Sequence, residues 1–151
     1  MKIALASDHT GVAVRKKVRA LLEEIGVDFQ DLGCTSEGPV DYPDMARKVA
    51  TAVSRGTCDQ GILICGTGIG MAIAANKFPG VMAAVCHDQL TTEMARKHNH
   101  ANVLCLGARV LSDDQLLELI RIWLKTEPEG GRHDRRVGKI LEMERDSPGE
   151  W

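Results

Sequence analysis

At 151 residues the chain is long enough for one domain with a full core and too short for two. Apolar residues at 44% and charged residues at 26% describe a globular chain, and no apolar run approaches the length of a membrane span. A formal charge of −2 and 3% aromatics provide neither a general attraction to nucleic acid nor a row of stacking platforms, so small molecules are the expected partners.

The first apolar run, Lys2–Ala6, reads as a strand, and it meets Asp8 too soon for an export signal, which points to the cytoplasm. The cysteines at 34, 58, 65, 86 and 105 are odd in number and form no C-x-x-C pair, so reduced thiols are expected. Val12, Val14, Val18, Leu21, Leu22 and Ile25 recur at helical spacing, with Gly26 closing that helix as its C′ residue. Asp28–Leu32 is the second strand. Asp41-Tyr42-Pro43 then places a proline near the first position of a second helix, which Gly56 ends.

Gly61–Cys65 is the third strand, followed by a helix over Met71–Lys77. Val81–Cys86 is the fourth strand, Leu90–Lys97 a helix, and Val103–Leu106 the fifth strand. Ser112 with Gln115 forms a capping box for a helix whose buried face is Leu116, Leu117, Ile120, Trp123 and Leu124. Pro128-Glu129-Gly130-Gly131 breaks the chain before an amphipathic segment from Arg132 to about Arg145, and fraying is expected over Asp146–Trp151. Strands apolar on both faces, alternating with helices, predict a Rossmann-like three-layer α/β/α sandwich with a five-stranded parallel sheet, in a single domain.

In such sheets ligands collect at the carboxyl ends of the strands, near the point where strand order reverses. Those ends carry Ser7-Asp8-His9, Cys65-Gly66-Thr67-Gly68, His87-Asp88 and Gly107-Ala108-Arg109: carboxylate, thiol, imidazole and guanidinium on one rim. The glycines at 66, 68 and 70 let backbone approach a ligand, and the helix behind them aims free N–H groups at an anion. Cys65, at that helix start, is expected to have a lowered pKa. Blander roles exist for each residue: Asp8 as a cap, Cys65 as a buried hydrophobe, His98 and Asn99 as a polar helix end, and Arg132, Arg135, Arg136 and Lys139 as a solvated face. Arg132 and Arg136, however, are four apart and can grip one phosphate.

Spacing argues against other chemistries. A dinucleotide fingerprint needs a glycine where Met71 stands, and a cysteine phosphatase loop needs an arginine there. Cys86-His87 and His98-x-His100 have no cysteine pair to support zinc, so no metal is expected. A non-catalytic phosphate- or nucleotide-binding module could use the same helix start, and would bind without turnover.

Ser7-Asp8-His9-Thr10-Gly11, Asp41-Tyr42-Pro43, Gly61 to Gly70, Ala74-Ala75-Asn76-Lys77, Arg96-Lys97-His98-Asn99, Leu106-Gly107-Ala108-Arg109 and Glu129-Gly130-Gly131-Arg132-His133 together resemble the type B ribose-5-phosphate isomerases, a family that also holds allose-6-phosphate and galactose-6-phosphate isomerases. The resemblance implies an aldose–ketose isomerase working through a cis-enediolate, with Cys65 as base and Thr67 moving protons between the two sugar oxygens. His98 would open the ring, with Asp8 holding sugar hydroxyls or assisting. Tyr42 and Asn99 would contact the sugar, the backbone of Gly66, Gly68 and Gly70 the oxyanion, and His9, Arg109, Arg132 and Arg136 the phosphate. The resemblance further implies no cofactor, and a homodimer or tetramer whose sites combine the cysteine loop of one subunit with His98 and the arginines of another. The helix over about 132–145 would then pack on a partner subunit. His100 and Thr10 depart from the family pattern without removing a catalytic group. A six-carbon aldose phosphate is the alternative substrate.

Overall fold

The computed structural model describes residues 1–35 and 38–147, so the expected fraying of residues 148–151 lies outside the described residues. Five parallel strands, β1 (Lys2–Ser7), β2 (Asp28–Asp31), β3 (Gln60–Cys65), β4 (Ala83–Val85) and β5 (Val103–Gly107), form one sheet in the order β2-β1-β3-β5-β4. The helices are α1 (Val12–Glu24), α2 (Tyr42–Ser54), α3 (Ile69–Ala75), α4 (Gln89–Asn99), α5 (Asp113–Lys125) and α6 (Arg132–Asp146), with a 3₁₀ turn over His9–Gly11.

Successive strand residues face opposite sides of the sheet, and here both sides are apolar. Ile3, Leu5, Ile62, Ile64, Leu104 and Leu106 join Val18 and Leu22 of α1 and Leu116, Ile120 and Trp123 of α5 in one layer. Ala4, Ala6, Leu63, Cys65, Val103 and Cys105 join Met45, Val49 and Val53 of α2 and Met71 of α3 in the other. The three-layer sandwich is thus the one that the alternation of elements predicts. Cys65 belongs to the α2–α3 side.

Several boundaries differ from the sequence expectation. α3 spans Ile69–Ala75 rather than Met71–Lys77. β4 contracts to Ala83–Val85 because side-chain amides take over at its start: Ala83 N donates to Asn76 Oδ1 at 2.7 Å and Met82 N to Asn102 Oδ1 at 2.8 Å. β2, at the sheet edge, is half exposed rather than apolar on both faces. In α5, Leu119 rather than Leu117 or Leu124 completes the fully buried stripe.

The expected capping box at Ser112 and Gln115 is present, with reciprocal bonds of 3.2 and 2.9 Å. A second box, Asp88 with Thr91, starts α4. Asp88 is therefore a cap, and its hydrogen bonds from Thr91 hold its carboxyl below the ordinary range.

A buried arginine ties the end of β1 to the end of β2 and the turn beyond it. Arg15 donates to Ser7 Oγ at 2.7 Å and to the Cys34 carbonyl at 2.6 Å, with Asp31 Oδ1 3.3 Å from its Nε. That fixes the end of β1 next to Asp8. Among the described residues, no helix is long and apolar enough to cross a membrane.

Candidate active site

After β1 the next strand lies on one side, and β3 on the other, so the β1–β3 edge is where the order reverses. At that edge Asp8 N donates to the Ile64 carbonyl at 3.0 Å, bringing the ends of the two strands together. The loop after β5 closes the third side: Ala108 N donates to the Cys65 carbonyl at 2.8 Å and Arg109 N to that of Gly66 at 3.0 Å. Nine of the expected site residues therefore share one rim: Asp8, His9, Tyr42, Cys65, Gly66, Thr67, Gly68, Gly70 and Arg109.

Cys65 is buried, and its Sγ accepts the Gly68 N–H at 3.1 Å. Thr67, exposed next to it, accepts the Ile69 N–H on Oγ1 at 3.3 Å. Gly68 has φ +81°, and a Cβ there would stand 3.2 Å from the Cys105 carbonyl group, so both conformation and space require glycine. The Gly70 and Met71 N–H groups open α3 with no acceptor inside the helix. With seven residues, α3 is too short to supply much dipole, so an anion here would be held by the loop's N–H groups themselves.

The flanking side chains lie directly over this loop. A Cβ on Gly70 would stand 2.6 Å from the Tyr42 ring, and one on Gly66 would stand 3.4 Å from Arg109 Cδ. Asp8 takes the role of a cap, accepting both the Thr10 N–H at 2.9 Å and the Thr10 hydroxyl at 2.5 Å on Oδ1. His9, exposed, accepts the Val40 N–H on Nδ1 at 3.3 Å. All five cysteines are free and buried. Burial pushes up the thiols of Cys58, Cys86 (to about 11) and Cys105, which makes these three protonated hydrophobes.

Gly107 sits where the two loops cross. A Cβ there would lie 2.9 Å from the Thr67 backbone, which cannot yield as a side-chain tip would. Gly107→Ala is expected to cost about 1–3 kcal/mol in urea unfolding by overpacking, and to lower turnover by pushing the Thr67 loop away from Cys65.

The remaining four expected residues lie elsewhere. His98 and Asn99 end α4, and Arg132 and Arg136 lie one turn apart at the start of α6. This corner is at the amino end of the sheet. Asn102 O accepts the Gly61 N–H at 2.8 Å, and the Asn102 amide bonds Gly80 and Met82 ahead of β4. Five strand steps separate that end from Cys65, about 16 Å. No side chain of this corner reaches its own Cys65.

The corner has an organisation that the sequence pattern does not reveal. The His98 and His133 rings stack with centroids 4.0 Å apart and planes 6° from parallel. Their Nε2 atoms lie 3.7 and 3.5 Å from Glu129 Oε2. His133 is buried, and that burial, with His98 beside it, pushes its pKa down. His100, in a left-handed conformation at φ 51°, brings Nε2 to 3.0 Å from Asp134 Oδ1, off-line for a hydrogen bond. The Glu129–His133 spacing of four is the available signal. Its meeting with His98 depends on how α4 and α6 pack, anchored where Glu129 N donates to the Lys97 carbonyl at 3.0 Å.

A family model described as ribose/galactose isomerase matches residues 3–140. Ribose-5-phosphate isomerase B of Escherichia coli is 44% identical over 143 residues, covering 95% of this chain and 96% of that one. Among solved structures, ribose-5-phosphate isomerase B of Clostridium thermocellum superposes with a TM-score of 0.95 at 48% identity, over 98% of this chain and 100% of that one. The same enzyme of Mycoplasma genitalium with bound ribulose 5-phosphate superposes with a TM-score of 0.94 at 42% identity, over 97% of each chain.

Proposed function

The chain belongs to the ribose/galactose isomerase family, and from that membership we propose that it interconverts ribose 5-phosphate and ribulose 5-phosphate through a cis-enediolate. The observation that carries the reading is the Cys65 sulfur at the β1–β3 switch point, held by the Gly68 N–H at 3.1 Å and bordered by the loop's backbone donors.

In the proposed mechanism His98 moves a proton to open the sugar ring, with Asp8 beside the sugar hydroxyls. The Cys65 thiolate removes the proton from C2. Charge then develops on the carbonyl oxygen at C1, where the N–H groups between Gly66 and Gly70 stabilise it. Thr67 shifts a proton between the two oxygens, and the Cys65 thiol returns its proton to C1, which restores the thiolate and leaves the ketose. Tyr42 and Asn99 bound the sugar. His9, Arg109, Arg132 and Arg136 hold the phosphate, the guanidinium groups matching its oxygens in a planar fork.

These roles require two copies of the chain, because His98, Asn99, Arg132 and Arg136 lie at the end of the sheet remote from Cys65. A homodimer supplies the missing half: the corner of one copy over the rim of the other. Ile69 and Ile73, one turn apart on α3 beside the cysteine loop, are 52% and 59% exposed and offer an apolar surface for that contact. On this reading α6, which buries little besides His133 and Val137, faces the partner.

Mixing the chain with ribose 5-phosphate and following ribulose 5-phosphate by its ketose absorbance tests the proposal. Conversion without added metal or nucleotide is expected; no conversion would sink it. A panel of five- and six-carbon aldose phosphates, compared by kcat/KM, ranks the substrates, and preference for a six-carbon sugar would shift the assignment within the family. Arg136→Ala is expected to raise KM about 10- to 100-fold, the worth of one charge-assisted phosphate contact, with a much smaller change in kcat. An unchanged KM would remove Arg136 from the phosphate site.

A further inference from the structure

The geometry points to a binding site for a first-row divalent metal ion, such as Zn²⁺ or Co²⁺, made by His98, Glu129 and His133. The three side chains bring one donor atom each within 4.8 Å of one another. Two imidazoles and a carboxylate are ligands such ions accept.

Two observations support a ligand here rather than a self-contained contact. First, His133 is 5% exposed, and its Nε2 is buried without a hydrogen-bond partner, although it faces Glu129. A buried nitrogen left in that state calls for a partner. Second, the distances from Glu129 Oε2, 3.5 Å to His133 and 3.7 Å to His98, are too long for hydrogen bonds. They are close to the roughly 3.4 Å that separates two ligands sharing a tetrahedral ion at ordinary metal–ligand lengths.

The parallel rings must fan apart for both lone pairs to meet on one ion. His98 can make that adjustment: its side chain is 37% exposed and ends α4, whereas His133 is enclosed. Glu129 is half exposed but its backbone is fixed to the Lys97 carbonyl, so one side of the ion would be left without a ligand from this chain. Resting on the proposed function, occupancy would tie up the His98 lone pair and so oppose ring opening. The site would then inhibit rather than assist.

The test is a Co²⁺ titration of the full chain and of a Cys65→Ala form, read by visible absorption and calorimetry. The Cys65→Ala form removes the thiol that a second copy would bring near His98. One Co²⁺ per chain is expected, with d–d bands in both forms and no sulfur charge-transfer band in Cys65→Ala. His133→Asn and Glu129→Gln should each weaken binding by about tenfold or more. Glu129→Gln keeps the readout clean if the buried His133 variant fails to fold. No d–d band, or affinity unmoved by Glu129→Gln, overturns the site. Zn²⁺ is then added to turnover assays. Slowing that Glu129→Gln relieves supports the site and the role of His98 together, while metal binding with undiminished turnover upholds the site and overturns that role.

Discussion

Replacing Cys65 by alanine is expected to lower kcat for ribose 5-phosphate by about 100- to 10,000-fold, the usual worth of a positioned general base, while the circular dichroism spectrum stays that of the wild type. The fold should survive because Cys65 sits among small and flexible neighbours of the α2–α3 layer, and its sulfur accepts a single hydrogen bond among the described residues, from Gly68 N. Deleting one sulfur from that layer costs little beside the expected loss of the proposed base. Cys65→Ser separates chemistry from shape: serine keeps an acceptor for the Gly68 N–H, yet its hydroxyl does not ionise near neutral pH. Both variants should therefore be inactive. Turnover equal to wild type in either one would place the base elsewhere. Cys58, Cys86 and Cys105 cannot substitute, since burial holds them protonated within the core.

Cys65→Ala and His98→Ala, each expected to be nearly inactive alone, should regain activity when mixed and allowed to exchange subunits. In a two-fold dimer the mixed species carries one site with both substitutions and one with neither, so random exchange returns about one quarter of wild-type activity. The expectation rests on the roughly 16 Å of sheet between the two groups within one chain. If both residues served a single-chain site, mixing would restore nothing. The same experiment with Cys65→Ala and Thr67→Ala is the internal control, because both lie on one loop and no mixed dimer contains a native site.

Some of this molecule can be read directly from local pattern. The apolar runs at Lys2–Ala6, Gly61–Cys65 and Val103–Leu106 are strands within a residue or so, because burial on both faces leaves a continuous hydrophobic signal. Caps at Ser112 and the turn at Gly26 are set by short-range hydrogen bonding and by positive φ, so they too are local. Apolar pattern overstates β4, because the amides of Asn76 and Asn102, one of them distant in the chain, replace its ladder. Asp88 has the position of rim chemistry, although its spacing to Thr91 is that of a cap.

The residue types at the strand ends, their clustering on one rim, and the three-layer architecture follow from the chain order and from hydrophobic periodicity alone. Tertiary structure decided which of those residues meet. It placed Tyr42 over Gly70 and Arg109 over Gly66, sent His98, Asn99, Arg132 and Arg136 to the far end of the sheet, and stacked His98 on His133. The physical reason is that strand and helix patterns are short-range properties of the chain. The pairing of α4 with α6, and the distance from that corner to Cys65, arise only when the parallel sheet sets each helix antiparallel to its strand and carries the helix ends to the opposite edge.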